Sequence, residues 1–267
     1  MHEDLRRDKG GYNLRLSLKQ RLKQDEPVIC TFSIMRSVET IEIIALAGFH
    51  AVILDLEHGP YGIESLGSLI LAARARGIYA IVRVLKNDAA MIGAVLDAGA
   101  DGVLVPQVST RAEAQAAVDA AHFAPVGTRG ANSWVRAADF NGSRDWFATA
   151  NREIAVIAMI EGKAGVENAL DIVATPSLDG VFLGPVDLSH SLGVPGQANH
   201  PLVVEKMRDV MSKARQHSLA AAVFAPTPEA SEKWIEMDAK IVACGVDTGH
   251  FLNALAEVVA RMSMGNT

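Results

Sequence analysis

The sequence predicts an α/β protein, a single (β/α)8 TIM barrel, on three observations. Eight short apolar runs alternate with eight helical segments along the 267 residues, the pattern of parallel βαβ units. The runs are apolar throughout rather than alternating with polar residues, which suits a sheet covered on both faces. No Gly-x-Gly-x-x-Gly follows the first run, which removes support for a doubly wound open sheet.

Composition agrees with one large core, at 49% hydrophobic and 21% charged residues. The formal net charge of −6, with no basic stripe, argues against a nucleic-acid partner. No run approaches the ~18 apolar residues that a membrane-spanning helix needs. Residues 1–13 are polar and mixed in charge, without the apolar core of a secretory signal. They read as a flexible tail ahead of one domain over 14–267. Cys30 and Cys244 each fall inside an expected strand and read as buried, reduced thiols of a cytoplasmic protein.

The elements follow in order. A short helix over 14–23 ends at Pro27, and 28–33 is the first strand. Ser37 offers an N-cap for a helix over 38–47 that Gly48 closes. Strand two, Ala51-Val-Ile-Leu-Asp55, runs into Glu57 and His58 and is stopped by Gly59-Pro60. Leu66, Leu69, Ile70 and Ala73 are at helical spacing within a helix over 63–76. Strand three covers 79–84. Asn87 or Asp88 caps the next helix, which runs to Asp97, and strand four covers 102–105, ending in Pro106-Gln107. Thr110 caps an alanine-rich helix, and 124–141 is the longest irregular stretch, the kind of loop that carries function. A helix over 144–151 leads to strand five, 155–160, which ends in Glu161. One helix over 165–174 leads to strand six, 180–183, followed by Gly184-Pro185-Val186-Asp187 and a loop over 188–200. Pro201 opens a long helix. Strand seven covers 220–224, Thr227 caps a helix, strand eight covers 240–244, and Asp247 or Thr248 caps the last helix.

In such barrels the active site lies at the C-terminal ends of the strands. Those ends collect Ser33, Asp55, Glu57, His58, Arg83, Gln107, Glu161, Asp187 and Asp247. Gathering so much charge at the rim of an apolar barrel is costly without a bound ion or substrate. Glu161 and Asp187 follow neighbouring strands and form an open oxygen site suited to Mg2+ or Mn2+. Arg83 offers a permanent fork for a carboxylate or enolate oxygen, or a structural ion pair with Asp55 or Glu57. His58 suits a general base, its tautomer held by Asp55 or by an acid from a nearby helix such as Asp97.

Several of these stretches together resemble the HpcH/HpaI family of class II, metal-dependent pyruvate aldolases. They are Leu54-Asp-Leu-Glu-His58, Val82-Arg83, Leu104-Val-Pro-Gln107, Gly127-Thr-Arg-Gly130, Ile160-Glu161 and Phe182-Leu-Gly-Pro-Val-Asp-Leu-Ser189. The resemblance covers about 18–261, nearly the whole chain. It implies a barrel of the phosphoenolpyruvate/pyruvate type, His58 as base, and Asp55 and Asp97 as the acids that orient it. It implies Arg83 as the enolate stabiliser and Glu161 and Asp187 as ligands of Mg2+ or Mn2+, with Co2+ a further candidate. The Gly184-Pro185-Val186-Asp187 turn resembles the segment whose backbone meets the pyruvate carboxylate, and Gln107 belongs to the same substrate rim. The family also implies a homo-oligomer, a hexamer built as a trimer of dimers, with site contacts shared between subunits.

One departure is plain. Where many members carry Gln-x-Glu at the end of strand five, this chain has Met159-Ile160-Glu161, so one polar substrate contact is replaced. The loop over 128–140, with Trp134 and Arg136, reads as an acceptor-binding loop. The expected reaction is reversible cleavage of a 4-hydroxy-2-oxo acid to pyruvate and an aldehyde. Oxaloacetate decarboxylation shares the enolate and is the nearest alternative. A CoA-ester lyase, a lysine Schiff-base aldolase using Lys86 or Lys163, and a non-catalytic barrel that binds an acid metabolite stand behind it.

Overall fold

The computed structural model describes residues 16–263, so the expected tail over 1–13 lies outside the described residues. Eight parallel strands close into a barrel in chain order. They are β1 Val28–Ser33, β2 Ala51–Asp55, β3 Tyr79–Arg83, β4 Gly102–Val105, β5 Ala155–Ile160, β6 Gly180–Leu183, β7 Ala220–Ala225 and β8 Ile241–Val246. The helices are α1 Leu18–Arg21, α2 Val38–Leu46, α3 Leu66–Ala75, α4 Ala89–Asp97, α5 Arg111–Ala121 and α6 Trp146–Glu153. They continue with α7 Lys163–Glu167, α8 Ala169–Val173, α9 Pro185–Ser191, α10 Pro201–Gln216, α11 Pro228–Glu236 and α12 Asp247–Ser263.

Strand residues alternate between two apolar layers because successive side chains point to opposite faces. Phe32, Ile53, Ile81, Leu104, Ile157, Met159 and Phe182 fill the barrel, whereas Val52, Leu54, Val82, Val103, Ile160 and Leu183 pack outward under the helices. At the N-terminal end, Leu18 of α1 is fully buried within the barrel cluster. Gly102 makes room for it: a Cβ there would meet Leu18 Cδ2 at 3.0 Å and the Ala155 carbonyl at 2.9 Å. The Tyr79 hydroxyl donates to the Leu16 carbonyl at 2.7 Å and fastens the same segment. The other end of the barrel is left open.

The expected caps are in place. Ser37, Asp88, Thr110 and Thr227 each accept a backbone N–H from the first turn of the helix that follows. Two segments differ from expectation, and the setting of the last helix is a further finding. Residues 163–173 form two short helices divided at Asn168, not one. The stretch read as a loop from residue 188 lies partly in α9, which opens on Pro185 at its first position, where a missing N–H is harmless. Beyond a first turn that meets β1 and β8, the last helix does not lie against the barrel. Asp247 is buried, but from Phe251 to Met262 every residue is exposed, including Phe251, Leu252, Leu255, Val258, Val259 and Met262.

Candidate active site

Strand parity builds the site. Asp55, Arg83 and Glu161 share the inward parity of Ile53, Ile81 and Met159 on their own strands, so all three face the open end of the barrel. Asp55 and Arg83 are register partners on β2 and β3. Arg83 Nε donates to Asp55 Oδ1 at 2.8 Å and Nη2 to Oδ2 at 2.6 Å, a bidentate fork. Its third nitrogen, Nη1, pairs with Glu57 Oε2 at 3.1 Å. The guanidinium lies 4.8 Å over the Phe32 ring, which fixes its plane from below. The structural ion pair therefore leaves Arg83 at the mouth of the barrel.

Asp55 has a second task. Its Oδ1 accepts the backbone N–H of Glu57 at 3.0 Å and of His58 at 3.3 Å, which ties the turn that carries both residues. With both oxygens engaged by Arg83, it does not hold the His58 ring as expected. The imidazole is exposed at the rim, and Asp55 positions it through the turn. Tyr61 completes this brace: its hydroxyl accepts the Asp55 N–H at 3.0 Å and donates to the Ser33 carbonyl at 2.8 Å. Tyr61 and Phe32 were not legible as site residues, one being a loop residue and the other an ordinary strand aromatic.

Across the mouth, Glu161 is 8% exposed and takes the Gln107 backbone N–H on Oε1 at 2.9 Å. Gln107 reaches it by adopting the left-handed region, φ 57°. Its side-chain Nε2 is 3.4 Å from Glu57 Oε1. Gly184 allows β6 to turn over this carboxylate, because a Cβ there would stand 2.9 Å from Met159 Cε and 3.2 Å from Glu161 Oε2. Burial pushes the Glu161 carboxyl up to about 7, and the nearby Glu57 and Asp187 carboxylates push the same way, against the Gln107 N–H and Arg83. Burial likewise raises Glu57, against the pull of Arg83. Asp187 is exposed in the first turn of α9.

This donor set fits a hard divalent cation. Three carboxylates face one another while the one arginine among them is already held by two acids. Among the described residues no three His, Cys, Asp or Glu side chains are grouped as a complete metal site. Glu161 and Asp187 would thus leave the remaining positions to water and substrate, as open Mg2+ sites do.

Other expected residues lie elsewhere. Asp97 ends α4, the helix that leads down to the start of β4, and its carboxylate pairs with Arg129. Arg129 is buried between Phe123 and Trp146. Within one chain Asp97 is therefore not brought to His58. The loop over 128–140 runs outside the barrel rather than over its mouth: Asp139 pairs with Arg74 of α3 at 3.2 Å, and Arg136 lies beside Gly67 and Gly99. An αβ connection returns to the N-terminal end of the next strand, which is why this loop cannot cover its own site. Ser33 and Asp247 pair with each other at 2.7 Å and brace residues 34 and 35 outside the mouth.

A closed parallel barrel whose mouth gathers four carboxylates, Asp55, Glu57, Glu161 and Asp187, about one arginine defines an enzyme of the (β/α)8 class. Residues 29–254 match the family described as HpcH/HpaI aldolase/citrate lyase, and the chain belongs to that family. It is 35% identical over 233 residues to the 5-keto-4-deoxy-D-glucarate aldolase of Salmonella paratyphi C, covering 87% of this chain and 91% of that relative. Its fold superposes on the HpcH/HpaI aldolase/citrate lyase family protein of Burkholderia cenocepacia J2315 with a TM-score of 0.88 at 32% identity, over 92% of this chain and 98% of the other. The citrate synthase SbnG is similar at a TM-score of 0.86 and 32% identity, over 94% and 99% of the two chains. This kinship makes the protein a carbon–carbon lyase.

Proposed function

We propose that the protein is a class II aldolase that cleaves a 4-hydroxy-2-oxo acid reversibly to pyruvate and an aldehyde. The observation that carries this reading is the pairing of an acidic cluster, Glu161 with Glu57 and Asp187, with an arginine held flat at the same mouth. A divalent ion held by Glu161 and Asp187, Mg2+ or Mn2+ with Co2+ a further candidate, would supply Lewis acidity toward the oxo acid.

The chain's own residues do the rest. Arg83 presents fixed positive charge where the enolate oxygen gains its negative charge, and needs no reorganisation because Asp55, Glu57 and Phe32 already hold it. His58 takes the proton of the 4-hydroxyl group as the carbon–carbon bond breaks, and returns it in the synthetic direction. Pro185, Val186 and Asp187 open α9, and the first-turn N–H groups of Val186 and Asp187 are free to receive the substrate carboxylate. Met159 forms the apolar floor below, and Gln107 and Gly184 shape the rim around Glu161.

The working form in this reading is a homo-oligomer, a hexamer arranged as a trimer of dimers. The exposed apolar side chains of α12 support association, since a helix of this kind buries its apolar stripe in a partner. In such an assembly Asp97 acts across a subunit boundary or not at all. A cytoplasmic setting agrees with Cys30 and Cys244 being free and buried. No helix among the described residues is long and apolar enough to cross a membrane.

The same arrangement of Arg83 and Glu161 also serves a second reading, an oxaloacetate decarboxylase or related enolate lyase, in which loss of CO2 leaves the same pyruvate enolate. Pyruvate release separates the readings. The aldolase forms it from a 4-hydroxy-2-oxo acid, loses it in EDTA and regains it with Mg2+ or Mn2+. Turnover that survives EDTA and is trapped by borohydride points to a lysine imine and defeats the proposal.

A further inference from the structure

Beside the candidate site lies a cavity of about 600 Å3. Its walls are Pro185 and Val186, from the turn that carries Asp187, and Phe224 and Pro226, at the end of β7. Gln197, Asn199 and His200 form its polar rim. The cavity is joined to the reacting end of the site through aromatic contacts. The Phe224 ring meets Phe32 edge-on at 6.0 Å, and Phe32 carries the Arg83 guanidinium at 4.8 Å. Pro185 and Val186 follow Gly184 directly, so the cavity borders the turn at which the oxo-acid end of the substrate is placed in the reading above.

Among the described residues no Lys, Arg, Asp or Glu lines it. The one titratable residue is His200, whose Nδ1 is already taken by the Leu202 N–H as the cap of α10, at 3.2 Å. The floor toward Arg83 is apolar too, because Met159 is a thioether at 3% exposure. A carboxylate placed against these walls would lose part of its hydration and gain no side-chain counter-ion in return. An alkyl or aromatic body would instead gain contact with Pro185, Val186, Phe224 and Pro226. Gln197 and Asn199 are left to bond one neutral polar group, such as a hydroxyl, at the far end.

We propose that this cavity is the acceptor subsite, and that the aldehyde released or taken up there is neutral and mainly apolar, an alkyl or aryl aldehyde rather than an acidic one. This rests on the aldolase reading and assigns the half of the substrate that the reading leaves open.

The test uses the full-length protein with Mg2+ in the synthetic direction, pairing pyruvate with benzaldehyde or hexanal and, separately, with glyoxylate or succinic semialdehyde. The neutral pair is expected to give a kcat/KM at least tenfold above the acidic pair. Pro226→Arg, at an exposed position of the wall, is expected to shift the neutral-to-acidic ratio at least tenfold toward the acidic aldehydes, and Asn199→Arg on the rim is a second variant with the same expectation. The ratio is internal to each variant, so a general loss of turnover does not affect it. A readout without metal is saturation-transfer NMR of benzyl alcohol, a non-reacting analogue, expected on the metal-free protein and weakened in Phe224→Ala. Preference of the wild type for acidic aldehydes, or ratios unmoved in both arginine variants, overturns the subsite. Exchange of the pyruvate methyl protons in deuterium oxide needs no acceptor: its absence in the wild type overturns the aldolase reading itself, whereas its presence with an acidic preference overturns only the acceptor assignment.

Discussion

Asp55 and Arg83 face each other as register partners on adjacent strands, and two hydrogen bonds of 2.8 and 2.6 Å lock the carboxylate to the guanidinium at the barrel mouth. Both side chains are buried, so neither charge has a substitute in solvent. Asp55→Ala leaves Arg83 with Glu57 alone and frees the turn that carries His58. Breaking a buried pair from one side costs about 3–5 kcal/mol. Urea denaturation is expected to show a loss of that size, with pyruvate proton exchange abolished. A loss below about 1 kcal/mol would mean that the fork is not what braces the mouth.

Glu161 gives a pH dependence whose sign follows from its raised carboxyl. Its folded value is about 7, against an ordinary 4.5. Between those values the folded protein keeps a proton that the unfolded chain releases. The resulting stabilisation is complete below about 4.5 and is lost as pH rises through about 7, an effect of about 3 kcal/mol in the metal-free protein. A divalent ion needs the ionised carboxylate, so it competes with that proton. Thermal unfolding should show a larger Mg2+-induced rise in Tm at pH 8 than at pH 5.5. Glu161→Gln should flatten the metal-free slope in this window, to which the raised Glu57 also contributes, and remove the Mg2+ effect. A full Mg2+ effect in that variant would remove Glu161 as a ligand.

His58→Asn separates base catalysis from enolate formation. Retro-aldol cleavage requires removal of the 4-hydroxyl proton, whereas decarboxylation of oxaloacetate releases CO2 with no such proton to remove. The variant is expected to lose about 10²–10⁴-fold in aldol cleavage. Oxaloacetate decarboxylation should stay within about threefold of wild type, because Arg83 and Glu161 are untouched. Equal losses in both assays would assign His58 to binding or structure instead.

The strand ends were readable because the barrel turns chain position into place. Asp55, Arg83 and Glu161 each terminate an apolar run and share its inward parity, so pattern alone sends them to one mouth. Asp97 lacked that guide. It ends a helix, and a helix end that precedes a strand belongs to the far side of the barrel, where Arg129 holds it. The Tyr61 contacts depend on how a loop folds back across two strands, which has no periodic signature. For α12 the sequence announced a last helix but not the surface it meets, and beyond its first turn that surface is not this chain's own barrel.

Tyr61→Phe tests the brace under the Asp55 turn. The hydroxyl serves the Asp55 N–H and the Ser33 carbonyl, both buried, and the phenyl ring keeps the packing. Leaving such groups unpaired costs about 1–3 kcal/mol. The expected result is a stability loss in that range, with kcat for aldol cleavage reduced and the KM for pyruvate in the synthetic direction unchanged, since His58 shifts while the carboxylate site at Gly184 does not. A change confined to KM would place Tyr61 outside the positioning of His58.

Met159→Gln probes the position at which this chain departs from the Gln-x-Glu pattern. The sulfur lies 4.0 Å from Arg83 Nη1, and the terminal methyl packs where Gly184 leaves space. Glutamine matches methionine closely in length, so an amide oxygen at the sulfur position can accept from Nη1, a charge-assisted bond. If that bond forms, the buried amide is satisfied and stability should change by less than about 1 kcal/mol; an unsatisfied amide would cost about 1–3 kcal/mol. The new bond draws Arg83 Nη1 away from Glu57 and makes the floor polar, so kcat/KM should fall for benzaldehyde and rise for hydroxylated or acidic aldehydes. Steady-state kinetics on both acceptor sets, read beside the urea midpoint, decides the matter. Unchanged acceptor preference in a stably folded variant would show that Met159 fills the barrel without shaping what it binds.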